Sequence, residues 1–294
     1  MNEVLFLGIF SLLFLVGWIA KRSSADPYGE FHLSLNHLPG DKPGTAPRTE
    51  WLNMGYWKNT TVFPEACEAL ALKLVEAAGC KPGGHVLDVG HGSGESLILL
   101  LTHPAVSRPS KLAGITSLEA HHRRSQARVA HLNTAVPVDL HVGDAVHRGG
   151  PGHPLNPSSE QFDTILALDC AYHFQTRRAF LQQAHNQLRP GGSVALADIC
   201  FAPGALQTSW TRWVTAVLRL MPRENMVSTD EYLAEMRRIG YTDVRLEDIS
   251  ADVFPGFLKF LGTRGMLWKA FAVIFGVYTR AGAGFVIVRG TRVG

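Results

Sequence analysis

The chain has 294 residues and a formal charge of +3, which allows one α/β domain of about 250 residues with a sizeable core and a short extension, but not two full domains. The charge is spread thinly and forms no long Lys/Arg run, so a nucleic-acid partner is not expected. The four cysteines, Cys67, Cys80, Cys170 and Cys200, lack C-x-x-C spacing, and the 13 histidines include no H-E-x-x-H; buried thiols in a reducing compartment and no metal are expected.

At the amino terminus, Val4 to Ala20 reads VLFLGIFSLLFLVGWIA and is apolar apart from Ser11. A run of ~17 residues is close to the shortest helix that spans a bilayer. Glu3 precedes it and Lys21-Arg22 follow, the reverse of a cleaved leader. Residues 1–22 are therefore predicted to be a transmembrane helix. The positive-inside rule leaves the rest of the chain cytosolic, as a single-pass protein of the endoplasmic reticulum or another endomembrane. Residues 23–50, rich in Pro, Gly, Asp, His and Ser, read as a linker, with the catalytic domain over 51–294.

Within that domain, Phe63 to Gly79 has helical spacing and a terminal glycine. GGHVLDVGHGSGESLILLL over Gly83 to Leu101 is a strand, a glycine-rich turn and a helix, the helix continuing over Ser96 to Thr102. Then come a strand over Lys111 to Thr116, a helix over Leu118 to Asn133, and strands over Val138 to Val142 and Phe162 to Leu168. A helix over Arg177 to Leu188 leads through a Pro190-Gly191-Gly192 turn into a strand over Ser193 to Ile199. This alternation predicts a Rossmann-like, doubly wound α/β fold with a mostly parallel sheet. An insertion at about 202–229, containing Trp210 and Trp213, reads as a helical lid. Asp230 to Ile239 reads as a helix, Thr242 to Ile249 as a strand and Gly284 to Gly290 as the last strand. The apolar segment 254–278 is either a buried domain helix or a surface resting in the lipid interface.

The glycines at 90, 92 and 94 follow Asp88 in a D-x-G-x-G-x-G pattern, suited to a ligand lying against bare backbone. A nicotinamide fingerprint would place a glycine at the sixth position from Gly90, where Glu95 stands. Ligands of such sheets sit beyond the carboxyl ends of the strands. The candidates there are Asp88 and Gly90, Thr116 and Ser117, Gly143 to Ala145, and Asp169 to His173.

In order, VLDVGHGSGES, LAGITSLEAH, VGDA, FDTILALDCAYHF followed by TRRAFL, and LRPGGSVALADI resemble successive motifs of class I S-adenosylmethionine-dependent methyltransferases. The similarity is to the small-molecule group of sterol, tocopherol, cyclopropane-fatty-acid and rebeccamycin-sugar type, over approximately Trp51 to Arg289. It implies S-adenosylmethionine as cofactor. Asp88, Gly90, Gly92 and Gly94 would lie by its methionine and ribose, with Thr116 and Ser117 beyond strand two. Gly143, Asp144 and Ala145 would meet the adenine. Relatives often end strand two with an acid for the ribose hydroxyls, whereas here Glu119 comes only after Thr116-Ser117.

Asn53-Met54-Gly55-Tyr56-Trp57 resembles the aromatic segment that closes over the methyl donor, which implies Tyr56 and Trp57 as cofactor contacts. His173 is the candidate general base, with Tyr172 and Asp169 beside it. The anchor, the lid and segment 254–278 favour a lipophilic small-molecule acceptor, sterol-, quinone-, lipid- or polyketide-like, reached at a membrane surface. Carbon, oxygen and nitrogen remain open as the methylated atom, and the oligomeric state is open. The alternatives are an NAD-type oxidoreductase and a non-catalytic, membrane-tethered binding protein.

Overall fold

A computed structural model describes residues 29–294, Pro39 and Pro43 excepted. The predicted transmembrane helix over 1–22 and the first part of the predicted linker lie outside the described residues. Among the described residues, no helix is long and apolar enough to cross a membrane.

Seven strands, β1 (His85–Val89), β2 (Lys111–Thr116), β3 (Val138–Val142), β4 (Phe162–Leu168), β5 (Leu188–Phe201), β6 (Tyr241–Asp248) and β7 (Ala283–Arg292), form one sheet in the order β3-β2-β1-β4-β5-β7-β6. The first five pair in parallel, and β7 runs antiparallel to both β5 and β6. The winding reverses between β1 and β4, which opens a crevice at the carboxyl ends of those two strands. The strands buried on both faces alternate between two cores: Val86 and Leu112 belong to one, Leu87, Val89, Ala113 and Ile115 to the other. That two-sided burial is why they read as near-continuous apolar runs. β5 begins at Leu188 rather than Ser193. Pro190-Gly191-Gly192, expected as a turn, is carried inside the strand opposite a register shift between Phe162 and Thr164.

The helices are α1 (Gly29–Leu33), α2 (Phe63–Ala78), α3 (Glu95–Thr102), α4 (Glu119–Ala130), α5 (Arg177–Gln187), α6 (Ser209–Leu218), α7 (Thr229–Ile239), α8 (Ser250–Gly262) and α9 (Met266–Arg280). In α2 a proline opens the first turn, Gly79 closes the last in the left-handed conformation, and Phe63, Cys67, Leu70 and Leu74 make the buried stripe. This stripe joins Phe254, Phe257, Phe275 and Tyr278 of α8 and α9 on one face of the sheet; α5 and α7 cover the other with Phe180, Leu181, Tyr232 and Met236. Each such side chain contributes about 1.5–3 kcal/mol when fully buried.

Segment 254–278 forms the greater part of two helices, α8 and α9, inserted between β6 and β7. Their inner sides are core, while the outer side of α9 exposes Met266 (86%) and Val273 (65%). Within the insertion after β5, α6 buries Thr211, Val214 and Thr215, and the indoles of Trp210 and Trp213 stack at 5.6 Å on its exposed side.

Candidate active site

A cavity of about 220 Å³ crosses the carboxyl ends of β3, β2, β1 and β4 in their spatial order. Gly143, Asp144 and Ala145 line it beyond β3, Thr116 and Ser117 beyond β2, and Gly90, His91, Gly92 and Ser93 beyond β1. Asp169, Cys170 and His173 line it beyond β4. Gly90 has φ 81° and donates its N–H to Ile115 O at 2.8 Å. A Cβ there would come within 2.6 Å of Cys170 Sγ, so both backbone and space require glycine. Asp144 is fixed by its own turn, its Oδ1 accepting the Val146 N–H at 2.8 Å.

Residues 50–54 close this cavity as a strap. Arg124 grips the Glu50 carboxylate with Nε at 2.5 Å and Nη2 at 2.8 Å, and Arg128 pairs with Glu95. The Glu50 N–H donates to Glu95 Oε2 at 3.0 Å, and Ser93 Oγ donates to Glu50 O at 2.6 Å. The strap is thereby bonded to the glycine-rich turn, α3 and α4 together. Further on, the Met54 N–H donates to Asp169 Oδ2 at 2.7 Å. Asp169 itself has φ 55°, a left-handed conformation costly for a residue with a Cβ and typical of functional positions.

A second cavity, of about 250 Å³, lies against the first and is mostly apolar, walled by Leu35, Phe257, Trp268, Phe271 and Phe275. The two share Trp51, Leu52, Asn53, Asp169 and His173, so the strap and the end of β4 form a partition with a polar strip. Tyr172 faces the second cavity. Burial lowers the His173 pKa from the ordinary imidazole value while the Asp198 charge pulls the other way, which keeps the ring neutral at physiological pH. Burial pushes the Asp169 carboxyl up to about 8, against the lowering effects of the Met54 N–H and Tyr172. One group at the partition is thus a neutral base and its neighbour a mostly protonated acid at neutral pH.

The turn bearing Tyr172 and His173 rests on a buried polar network. Arg177 Nη1 meets Asp198 Oδ2 at 2.7 Å, Tyr232 donates its hydroxyl to the same oxygen at 2.8 Å, and Arg177 Nη2 donates to Asn225 O at 2.5 Å. Every member is satisfied by another, as burial demands.

Several residues expected at the cofactor stand elsewhere. Asp88 is buried beneath the glycine-rich turn, where its carboxylate accepts from Ser96 Oγ at 2.5 Å; burial raises its pKa to about 6, and it does not line the cavity. Gly94 starts α3 with a left-handed backbone packed on Ser125. Tyr56 donates to Asp252 Oδ2 at 3.1 Å, and Trp57 lies on α8, where a Cβ at Gly256 would come within 2.3 Å of the indole. Both aromatics anchor the strap, and the cavity contacts fall to Trp51, Leu52 and Asn53. Glu119 turns to Arg123 at 3.8 Å and also stays out of the cavity.

Glu50, Trp51 and His91 join the site without a signal in the sequence reading, although Trp51 stands only two residues before the aromatic segment Asn53 to Trp57. Burial and the neighbouring His122 and His121 lower His91 to about 4, so it is a neutral ring in the wall. Its buried Nε2 has no partner among the described residues.

A bare left-handed turn at β1, a carboxylate beyond β3, an orphaned imidazole nitrogen and a closing strap suit an elongated adenosyl ligand whose reactive end points at the partition. These are features of a nucleoside-dependent transferase on a doubly wound sheet. Residues 57–246 match the family model described as a methyltransferase domain, and the chain belongs to that family. It is 28% identical over 220 residues to the erythromycin 3''-O-methyltransferase of Saccharopolyspora erythraea (71% of this chain, 68% of the relative). It is 29% identical over 213 residues to the 27-O-demethylrifamycin SV methyltransferase of Amycolatopsis mediterranei (71% and 73%).

Among solved structures, geranyl diphosphate C-methyltransferase from Streptomyces coelicolor shares the fold with a TM-score of 0.62 at 18% identity, over 79% of this chain and 78% of that one. The cyclopropane synthase MmaA2 of Mycobacterium tuberculosis gives 0.62 at 14% identity, over 83% and 90%. The protein is an S-adenosylmethionine-dependent methyltransferase of the small-molecule group, and S-adenosylmethionine is its cofactor.

Proposed function

We propose that the enzyme methylates a hydroxyl of a lipophilic small molecule, sterol-, quinone-, lipid- or polyketide-like, held in the apolar cavity. The observation that carries this reading is the partition: His173 and Asp169 border both cavities, and the remaining walls of the second are largely aromatic and aliphatic. When bound, the cofactor supplies an electrophilic methyl group. Trp51, Leu52 and Asn53 separate its compartment from the acceptor's and exclude water from the junction. His173 takes the acceptor's proton as the oxygen–carbon bond forms and the carbon–sulfur bond breaks. Protonated Asp169 donates to the acceptor oxygen and orients it. Relatives named as an erythromycin 3''-O-methyltransferase and a 27-O-demethylrifamycin SV methyltransferase support oxygen as the acceptor atom.

The apolar run Val4 to Ala20 and the following Lys21-Arg22 support a transmembrane helix that holds the catalytic domain on the cytosolic side of an endomembrane.

The test is incubation of the full chain with methyl-labelled S-adenosylmethionine and a membrane lipid extract. Label should appear in the organic phase as an alkali-stable ether and disappear in His173→Ala. Label that stays in polar, water-soluble products would overturn the lipophilic acceptor, and an N-methyl or C-methyl product would overturn oxygen.

A further inference from the structure

Of the nine exposed large hydrophobic side chains among the described residues, all but Val142 and Val293 lie on α1, α6 and α9. These three elements are neighbours: Phe31 of α1 stacks on Trp268 of α9 at 4.4 Å and 4°, and α6 packs against α9, with Thr211 Oγ1 donating to Ala281 O at 2.6 Å. On α6, Trp210, Trp213 and Val217 sit at helical spacing on the outer side. On α9, Met266 and Val273 do the same. Neither helix carries an acid, while Arg212, Arg219, Lys269 and Arg280 rim the face and are exposed. A broad apolar face with a cationic rim is the composition of an interfacial surface for anionic lipid.

The opposite sides of the same elements wall the acceptor cavity: His32 from α1, Leu220 and Met221 just after α6, and Trp268, Phe271 and Phe275 from α9. The apolar run of the sequence ends at Ala20, and residues 21–28 join it to α1. At ~3.5 Å per residue that segment reaches no more than roughly 30 Å, so a membrane-inserted run keeps α1 beside the bilayer.

We propose that the face formed by α1, α6 and α9 rests in the headgroup region of an anionic bilayer and that the acceptor passes between these elements from lipid into the cavity. This rests on the membrane reading above and adds which face docks and by what route the acceptor enters.

The full chain is reconstituted with phosphatidylcholine–phosphatidylserine vesicles, carrying the photo-crosslinker p-benzoylphenylalanine in place of Trp213, Val273, Val142 or Val293. Retained S-adenosylhomocysteine binding serves as the check on folding. After irradiation, lipid adducts are expected at 213 and 273 and none above background at 142 and 293. Chain that floats with the vesicles but shows no adducts at 213 and 273, equal adducts at all four positions, or crosslinks to a second copy overturns the docking face and leaves anchorage standing. Chain that does not float overturns the membrane reading itself and the docking face with it.

Discussion

Asn225 brackets His173: its Nδ2 donates to Tyr172 O at 3.0 Å and to Phe174 O at 2.8 Å, the carbonyls on either side of the imidazole. Its Oδ1 meanwhile accepts the Arg177 N–H at 2.9 Å. A residue far along the chain, in the insertion after β5, therefore sets where the candidate base stands. Asn225→Ala leaves these buried groups unpaired and is expected to cost about 1–3 kcal/mol in denaturant unfolding. The cofactor cavity does not include Asn225, so calorimetric affinity for S-adenosylhomocysteine should be nearly unchanged. Turnover should fall roughly 10- to 100-fold through misplacement of His173. Turnover that survives while stability drops would reduce the network to scaffolding.

Asp169 gives stability a defined pH dependence. Its carboxyl titrates near 3.8 in an ordinary setting and about 8 in the fold. Between those values the folded chain binds the extra proton, so unfolding free energy declines as pH rises through this window and levels off above it. Asp88, raised from 3.8 to about 6, adds a decline of the same sign over the lower part. Urea unfolding at a series of pH values should show a shallower decline for Asp169→Asn than for the wild type, with the difference confined to about pH 4–8. Parallel curves would mean that the carboxyl is ionised in the folded protein.

Gly90→Ala forces a side chain toward Cys170 Sγ at 2.6 Å on a backbone at φ 81°. Overpacking of this kind costs about 1–3 kcal/mol, and the turn can relieve it only by moving into the cofactor cavity. Affinity for S-adenosylhomocysteine should fall by about tenfold or more with the circular dichroism spectrum unchanged. Adding Cys170→Ala should restore part of the loss, because the contact with Sγ is removed while the contact with the residue 170 Cβ at 3.1 Å and the left-handed backbone remain. No recovery would assign the whole effect to backbone conformation.

Strands β2 and β4 were legible because burial leaves a short apolar run bounded by turn residues, and the edge strand β3 because Val138, Leu140 and Val142 alternate with Asp139 and His141. The stations beyond β2, β3 and β4 followed from them, since Thr116, Asp144 and Asp169 sit where those runs end. Asp88 misled because chain position places it at the tip of β1, while the pleat turns its carboxylate to the covered side under Ser96. Tyr56 and Trp57 misled for a different reason: aromatic character looks the same whether a ring faces a ligand or packs on α8. What could not be read at all was pairing across long separations, such as Glu50 with Arg124 or Asn225 with the turn at 171–173, because no local pattern records it.

The family match ends at residue 246, before α8 and α9, and begins after the strap at 50–54. The aromatic compartment thus draws most of its walls from the two flanks of the matched unit, whereas the nucleoside compartment, apart from the strap, comes from the unit itself. Exchanging those flanks between relatives would redirect which molecules are modified while leaving the methyl donor's berth intact, a division of labour that makes selectivity free to drift under a fixed chemistry.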